Sequence, residues 1–142
     1  MFYWAMVTYA NGEPILEGDW IRVWVPKLAV WHHGIVRTVV FISPGIVGIY
    51  VVHNRKVTGI TTTDVAEFAE GQPVFLYRRP APNQVLAILA RADASIGKHY
   101  NLFGQNCEHF ASFAFNGRAE STSMRALGAL ALAGIVVAVM NS

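Results

Sequence analysis

Tyr100-Asn101-Leu102-Phe103-Gly104-Gln105-Asn106-Cys107-Glu108-His109-Phe110 is the stretch on which the reading of the chain turns. It holds the only cysteine among the 142 residues. Its pattern is that of a loop entering a helix. The side-chain oxygen of Asn106 can accept from free backbone N–H groups, which suits an N-cap. Cys107 then falls in the first turn. The positive end of the helix dipole favours a thiolate over a thiol there, and the thiolate is the nucleophilic form. Phe110, Ala111 and Ala114 follow at helical spacing, and Asn116-Gly117 offers a stop. A free cysteine among Phe and Ala is usually a small buried hydrophobe. The polar neighbours Gln105, Asn106, Glu108 and His109 weigh the other way.

The length suits one domain with a core of its own. Hydrophobic residues make up 54% and charged residues 14%, both on the apolar side of soluble averages. A small domain cannot hide that much apolar surface, so a membrane-attached protein or a homo-oligomer is expected. A net charge of +2 is too small to argue for a nucleic-acid partner. The pairs Arg55-Lys56 and Arg78-Arg79 read as solvated strand ends. A single cysteine excludes an intrachain disulfide and is compatible with a reducing compartment. Residues 1–7 are apolar and aromatic but lack a basic start and are too short for a secretion signal. The expectation is therefore a cytoplasmic location, on the cytosolic side of a membrane.

Residues 19–25 alternate and are rich in β-formers, so they read as a strand ended by Pro26. Strands are also expected at 31–41, 48–53, 56–62 and 73–77. Residues 41–48 read as an apolar loop containing Pro44 and Gly45, and Asn54-Arg55 as a tight turn. Thr63-Asp64 caps a short helix at 65–68. A longer helix runs from Pro82 to Ile96 with Val85, Leu86, Leu89, Ala92 and Ile96 as its apolar stripe. Residues 1–9 are either a strand or an interfacial flap. Strands followed by helices imply an α+β domain with a mostly antiparallel sheet, over residues 1–117.

The tail differs in kind. Residues 118–123 are small and polar, a linker, and 124–142 form a hydrophobic C-terminal helix. Residues 126–140 carry no charge, and Arg125 precedes them. A spanning helix needs ~20 apolar residues, ~17 at the short end. Arg125 could snorkel to the interface. Membrane insertion and packing as a buried helix both stand.

His32 and His33 are adjacent on a strand, so they point to opposite faces. Arg37 shares a face with His33 and Ile35, and an Arg37 facing water makes His32 the inward histidine. His53 lies on the next strand. No histidines have metal-ligand spacing with a supporting Cys or Asp, so no metal is expected, and no Gly-rich phosphate loop is present.

Asn106-Cys107-Glu108-His109-Phe110 resembles the cysteine motif of the lecithin:retinol acyltransferase-like family. Gly18-Asp19-Trp20-Ile21 is similar to the opening strand of that family, His32-His33-Gly34-Ile35 to its base strand and Val51-Val52-His53 to the strand of its second histidine. The blocks stand in the family's order, over about residues 17 to 116. Val36 and Arg37 occupy places where members continue with Tyr and a Gly-containing turn. The resemblance implies a permuted papain-like fold of the NlpC type with the nucleophile at a helix N-terminus. It implies Cys107 as nucleophile, His32 as general base and His53 as the residue that orients His32. It further implies a glycerophospholipid or other acyl-ester substrate, phospholipase A or acyltransferase activity, and a C-terminal hydrophobic anchor; no cofactor is expected. The Cys107 backbone N–H would meet the oxyanion. The same site could instead serve a cysteine peptidase or amidase, and a chain with this motif could also be a non-catalytic, membrane-associated interaction module.

Overall fold

The computed structural model describes residues 8–99 and 106–118, with the side chains at positions 46, 106 and 107 outside the description. Expectations for residues 1–7 and for the tail at 124–142 lie outside the described residues. In chain order the elements are β1 (Trp20–Val25), β2 (Val30–Ser43), β3 (Ile46–Arg55), β4 (Gly59–Asp64), α1 (Val65–Ala69), β5 (Phe75–Arg78), a 3-10 turn (Pro82–Gln84), α2 (Val85–Ser95) and α3 (Asn106–Asn116). The five strands form one sheet in the order β4-β3-β2-β1-β5, and every described pairing is antiparallel. The architecture is α+β.

The apolar loop expected at 41–48 is a ladder instead. Phe41 pairs with Val47 and Ser43 with Ile46, so β2 and β3 run on to a tight turn at Pro44-Gly45. Proline presets its own φ and Gly45 supplies φ 82°, so two residues suffice to reverse a chain whose flanks are β-formers. The turn expected at Asn54-Arg55 also moves. β3 continues to Arg55, which pairs with Gly59. Gly59 has φ 73°, and a Cβ there would stand 2.4 Å from the Lys98 carbonyl oxygen. That close approach lets Ile60 N–H donate to Lys98 O and Gly97 N–H to Ile60 O, both at 2.9 Å, sewing the end of α2 to β4.

Both faces of the sheet are covered. One core joins Ile21, Val23, Val36 and Val51 to Phe68 of α1 and to Tyr9 and Ile15 of the leading segment. The other joins Trp20, Ile35, Val52 and Ile60 to Ile88 and Ala92 of α2 and Phe110, Ala111 and Ala114 of α3. Each large apolar side chain removed from water contributes about 1.5–3 kcal/mol. The expected stripe of α2 needs correction: Leu86 is 82% exposed and Ile96 47%, whereas Ile88 is fully buried. Leu86 stands two residues from Ile88, about 200° round the helix, and so faces water. Ile96 is already extended, with ψ 133°, and has left the helix. Arg91 closes the far end of α3 by donating to Ala114 O (2.8 Å) and Phe115 O (3.3 Å), carbonyls that the helix leaves without partners.

Arg79 is not a solvated strand end. Its Nε and Nη2 donate to the Asp19 carboxylate at 3.1 and 3.0 Å, and Asp19 is fully buried. Tyr9 Oη–H donates to the same carboxylate at 2.7 Å and Leu16 N–H at 3.0 Å. A carboxylate leaves water only when it is paired in this way. Burial first, and then the Asp19 carboxylate, push the Tyr9 hydroxyl far above its usual range, so it stays a donor. Among the described residues, no helix is long and apolar enough to cross a membrane.

Candidate active site

Alternation along β2 puts His32, Gly34 and Val36 on one face and His33, Ile35 and Arg37 on the other. Gly34 pairs with His53 across the ladder, so His53 is the diagonal neighbour of His32 on that face. His32 Nε2 and His53 Nδ1 lie 2.9 Å apart. Gly34 leaves the room for this: a Cβ there would stand 2.6 Å from Val51 Cγ1 and 2.9 Å from the Phe68 ring. Phe68 uses that space, with its centroid 5.0 Å from the His32 ring and 5.1 Å from the His53 ring. On β4, Thr63 Oγ1 lies 2.8 Å from His53 Nε2, and the Thr63 hydroxyl reaches the Asp64 carbonyl at 3.1 Å. The result is a row of hydrogen-bonding atoms from His32 through His53 and Thr63 to the backbone of Asp64.

The expectation that only one of the adjacent histidines is inward is corrected, because the sheet has no open face here. His33 is 3% exposed. Its Nδ1 accepts from Trp20 Nε1–H at 2.9 Å, and its ring meets Trp20 and Tyr77 edge-on. Arg37 does not simply face water: it donates twice to Asp93 of α2, at 2.7 and 3.0 Å.

Burial, with Arg55 nearby, lowers the His32 pKa from 6.5 to about 4. Burial, then His32 and Arg55, lowers that of His53 to about 3. Burial, then Arg22 and His32, lowers that of His33 to about 3. All three rings are neutral near pH 7, and a neutral imidazole can take a proton. His32 and His53 line a cavity of about 590 Å³ whose wall also includes Val23, Leu28, Arg55 and Phe68. A second cavity of about 390 Å³ lies between Ile15, Leu16, Phe41, Val47 and Ile49, and it is mainly apolar.

Cys107 belongs to the first turn of α3, and its side chain lies outside the described residues. Asn106 is already helical, and its side chain lies outside them as well. The described part of α3 buries Phe110, Ala111 and Ala114 against Trp20, Ile35 and Val52. That is the His33 face of the sheet, opposite to the face of His32 and His53. The structure thus brings His32 and His53 together, and seats the body of the cysteine helix on the other side. Glu108 stands in the first turn, where a negative charge suits the helix dipole. Burial lowers the pKa of His109. His99 packs beside Gly59. Among the described residues, no group of three or more His, Cys, Asp or Glu could hold a metal ion.

Sequence reasoning missed Thr63 and Phe68. Thr63 was visible only as the last of three consecutive threonines and as part of the polar cap before the short helix, and Phe68 only as an apolar residue in that helix. The pairing of His53 with Thr61 sets Thr63 one diagonal step away, and that register is not written in either strand alone.

An antiparallel sheet with paired, neutral histidines on a cavity wall, followed by a cysteine-bearing helix, fits the class of α+β acyl-transfer domains. The family model for lecithin retinol acyltransferase matches residues 15–120, and the chain belongs to that family. Membership points to acyltransferase or acyl-hydrolase activity in general. No curated protein matches the chain.

Proposed function

We propose that the chain is a thiol acyltransferase or phospholipase A-type hydrolase that forms an acyl-thioester on Cys107 from glycerophospholipid esters. The observation that carries this reading is the His32–His53 contact at 2.9 Å on the wall of a cavity, in a chain of this family. In the proposed reaction His32 takes the thiol proton and Cys107 Sγ attacks the ester carbonyl. The tetrahedral intermediate collapses, the C–O bond breaks, and the leaving alcohol receives the proton from His32. His32 then deprotonates water, or an alcohol or amine acceptor, which attacks the thioester and releases the thiolate. His53 holds the ring of His32. A phospholipid substrate would bring the protein to a membrane surface, and the uncharged segment 126–140 supports attachment there. Catalysis on this scheme requires the first turn of α3 to carry Cys107 round to the His32 side.

The seating of α3 on the far face favours a second reading, a non-catalytic interaction module. One experiment separates the two. The full-length protein is mixed with phospholipid vesicles, quenched in acid within seconds and weighed intact. A mass gain of one fatty acyl group, absent in Cys107→Ser, is expected. Folded protein that shows neither adduct nor released fatty acid with several phospholipids overturns the lipid reading. In that case cleavage of amide substrates points to the peptidase or amidase chemistry of the wider superfamily, and its absence to the interaction module.

A further inference from the structure

We infer that Thr63 is a positioning residue that sets the direction of the His32–His53 relay and leaves Nδ1 of His32 as the open base. A hydroxyl has one hydrogen to donate. That of Thr63 points to Asp64 O at 3.1 Å. The Thr63 oxygen, 2.8 Å from His53 Nε2, is therefore an acceptor there, and the hydrogen between them belongs to His53 Nε2. A neutral imidazole carries one N–H, so His53 Nδ1 is bare. His53 Nδ1 then accepts from His32 Nε2–H across 2.9 Å. His32 in turn has its only hydrogen on Nε2, and its Nδ1 keeps a free lone pair. Among the described residues His32 makes one side-chain hydrogen bond, the Nε2 contact, and the residue lines the cavity.

The opposite direction can also be written. Thr63 would donate to His53 Nε2, His53 Nδ1–H would donate to His32 Nε2, and His32 would carry its hydrogen on Nδ1. That arrangement makes two hydrogen bonds where the first makes three, because Asp64 O loses the hydroxyl. It also leaves His32 unable to accept a proton on the side away from His53. The backbone carbonyl of Asp64 thus polarises the row through Thr63. Asp64 is held in place in its turn: its Oδ1 accepts from Glu67 N–H at 2.8 Å as the N-cap of α1. The beginning of one short helix fixes which nitrogen of a histidine two strands away is basic.

The catalytic meaning of this relay rests on the proposed acyl-transfer reading, whereas the tautomers themselves do not. The test is therefore made on the nitrogens first. In the full-length protein labelled with 15N-histidine, two-bond 1H–15N correlation spectra at pH 7 report which ring nitrogen is protonated. His32 and His53 are both expected to carry hydrogen on Nε2 alone. Thr63→Val keeps the shape and removes the hydroxyl, and it should mix the tautomers of both rings. Thr63→Ser should restore the single pattern. Acyl transfer should follow, with kcat down ~3- to 10-fold in Thr63→Val at unchanged KM, the bias that one hydrogen bond exerts, and recovered in Thr63→Ser. A His32 that carries its hydrogen on Nδ1 in the unmodified protein overturns the inference, as do tautomers indifferent to Thr63→Val. If Thr63→Val fails to fold, the tautomers of the unmodified protein still decide it. Expected tautomers without any acyl transfer would sink the proposed function and leave the relay standing. Acyl transfer with the wrong tautomers would do the reverse.

Discussion

His32 and His33 are joined by one peptide bond and live on different sides of the sheet. His33 is buried and His32 half-buried, and both are held neutral by their removal from water. His33 spends its Nδ1 on the Trp20 indole and is enclosed by Trp20 and Tyr77. Its surroundings are those of a core. His32 spends its Nε2 on His53, stacks on Phe68 and borders a cavity. A lowered pKa is common to the two and distinguishes nothing. What separates them is the partner and the space beside it: His32 meets a second histidine on a cavity wall, His33 an indole inside the core. Helix α3 complicates the contrast, because its buried side lies with His33 while the proposed chemistry lies with His32. The first turn of α3, with Cys107, has to bridge that division.

The largest effect that would sharpen the comparison is on rate. His32→Ala should lower acyl transfer by ~10²- to 10⁴-fold, the range for removing a general base. His33→Gln should leave the rate of the folded protein nearly unchanged, since His33 lies on the opposite face and its ring is bonded to Trp20. Initial rates of fatty acid release read both, and equal losses would break the contrast. The next effects are on stability. Phe68→Ala on one side should cost about 3–5 kcal/mol, and Ile35→Ala on the other about 2–5 kcal/mol, by denaturant midpoint. Of the two, Phe68→Ala should also lower kcat, because the Phe68 ring packs on both paired histidines and Ile35 lies on the other face.

Acid should act on both sides at once. Each of the three histidines has a folded-state pKa below its ordinary 6.5, at about 4 for His32 and about 3 for His33 and His53. The unfolded chain therefore binds more protons between those values. Stability is full above about pH 6.5 and is lost as pH falls from there towards 4 and 3, which thermal unfolding at a series of pH values would trace. A flat profile over that window would show the rings to be less buried than they are here. The smallest effect belongs to the Arg37–Asp93 pair, whose side chains are 34% and 45% exposed. Arg37→Ala should cost ~0.2–1 kcal/mol, and less in high salt.

The helix that carries Cys107, β1 and the short capped helix were legible because each is carried by a local pattern: helical spacing with a stop at glycine, an alternating run, a polar cap at Asp64. The two motif histidines rested on the resemblance to the family's blocks, not on local pattern. The β2–β3 hairpin was not. An apolar run through Pro44-Gly45 reads equally as a loop, and only pairing partners on both sides turn it into a ladder. The burial of His33 was hidden for a related reason. An arginine on the same face suggested water, while the structure supplies Asp93 and two helices to cover it. Arg79 was misjudged in the same way, since its partner Asp19 lies sixty positions away in sequence. Thr63 depended on register between strands, which no single strand encodes.

The measurement that tests the two-sided account most directly needs no substrate. Cys107 is the only cysteine, so its alkylation by iodoacetamide can be followed by intact mass as a function of pH. An ordinary thiol titrates near ~8.5, and one paired with a base reacts at lower pH. The protein should react as an activated thiol, His32→Ala should return the profile to the ordinary range, and His33→Gln should leave it in place. A profile that shifts in His33→Gln and holds in His32→Ala would put Cys107 on the other face of the sheet and contradict the assignment of His32 as its base.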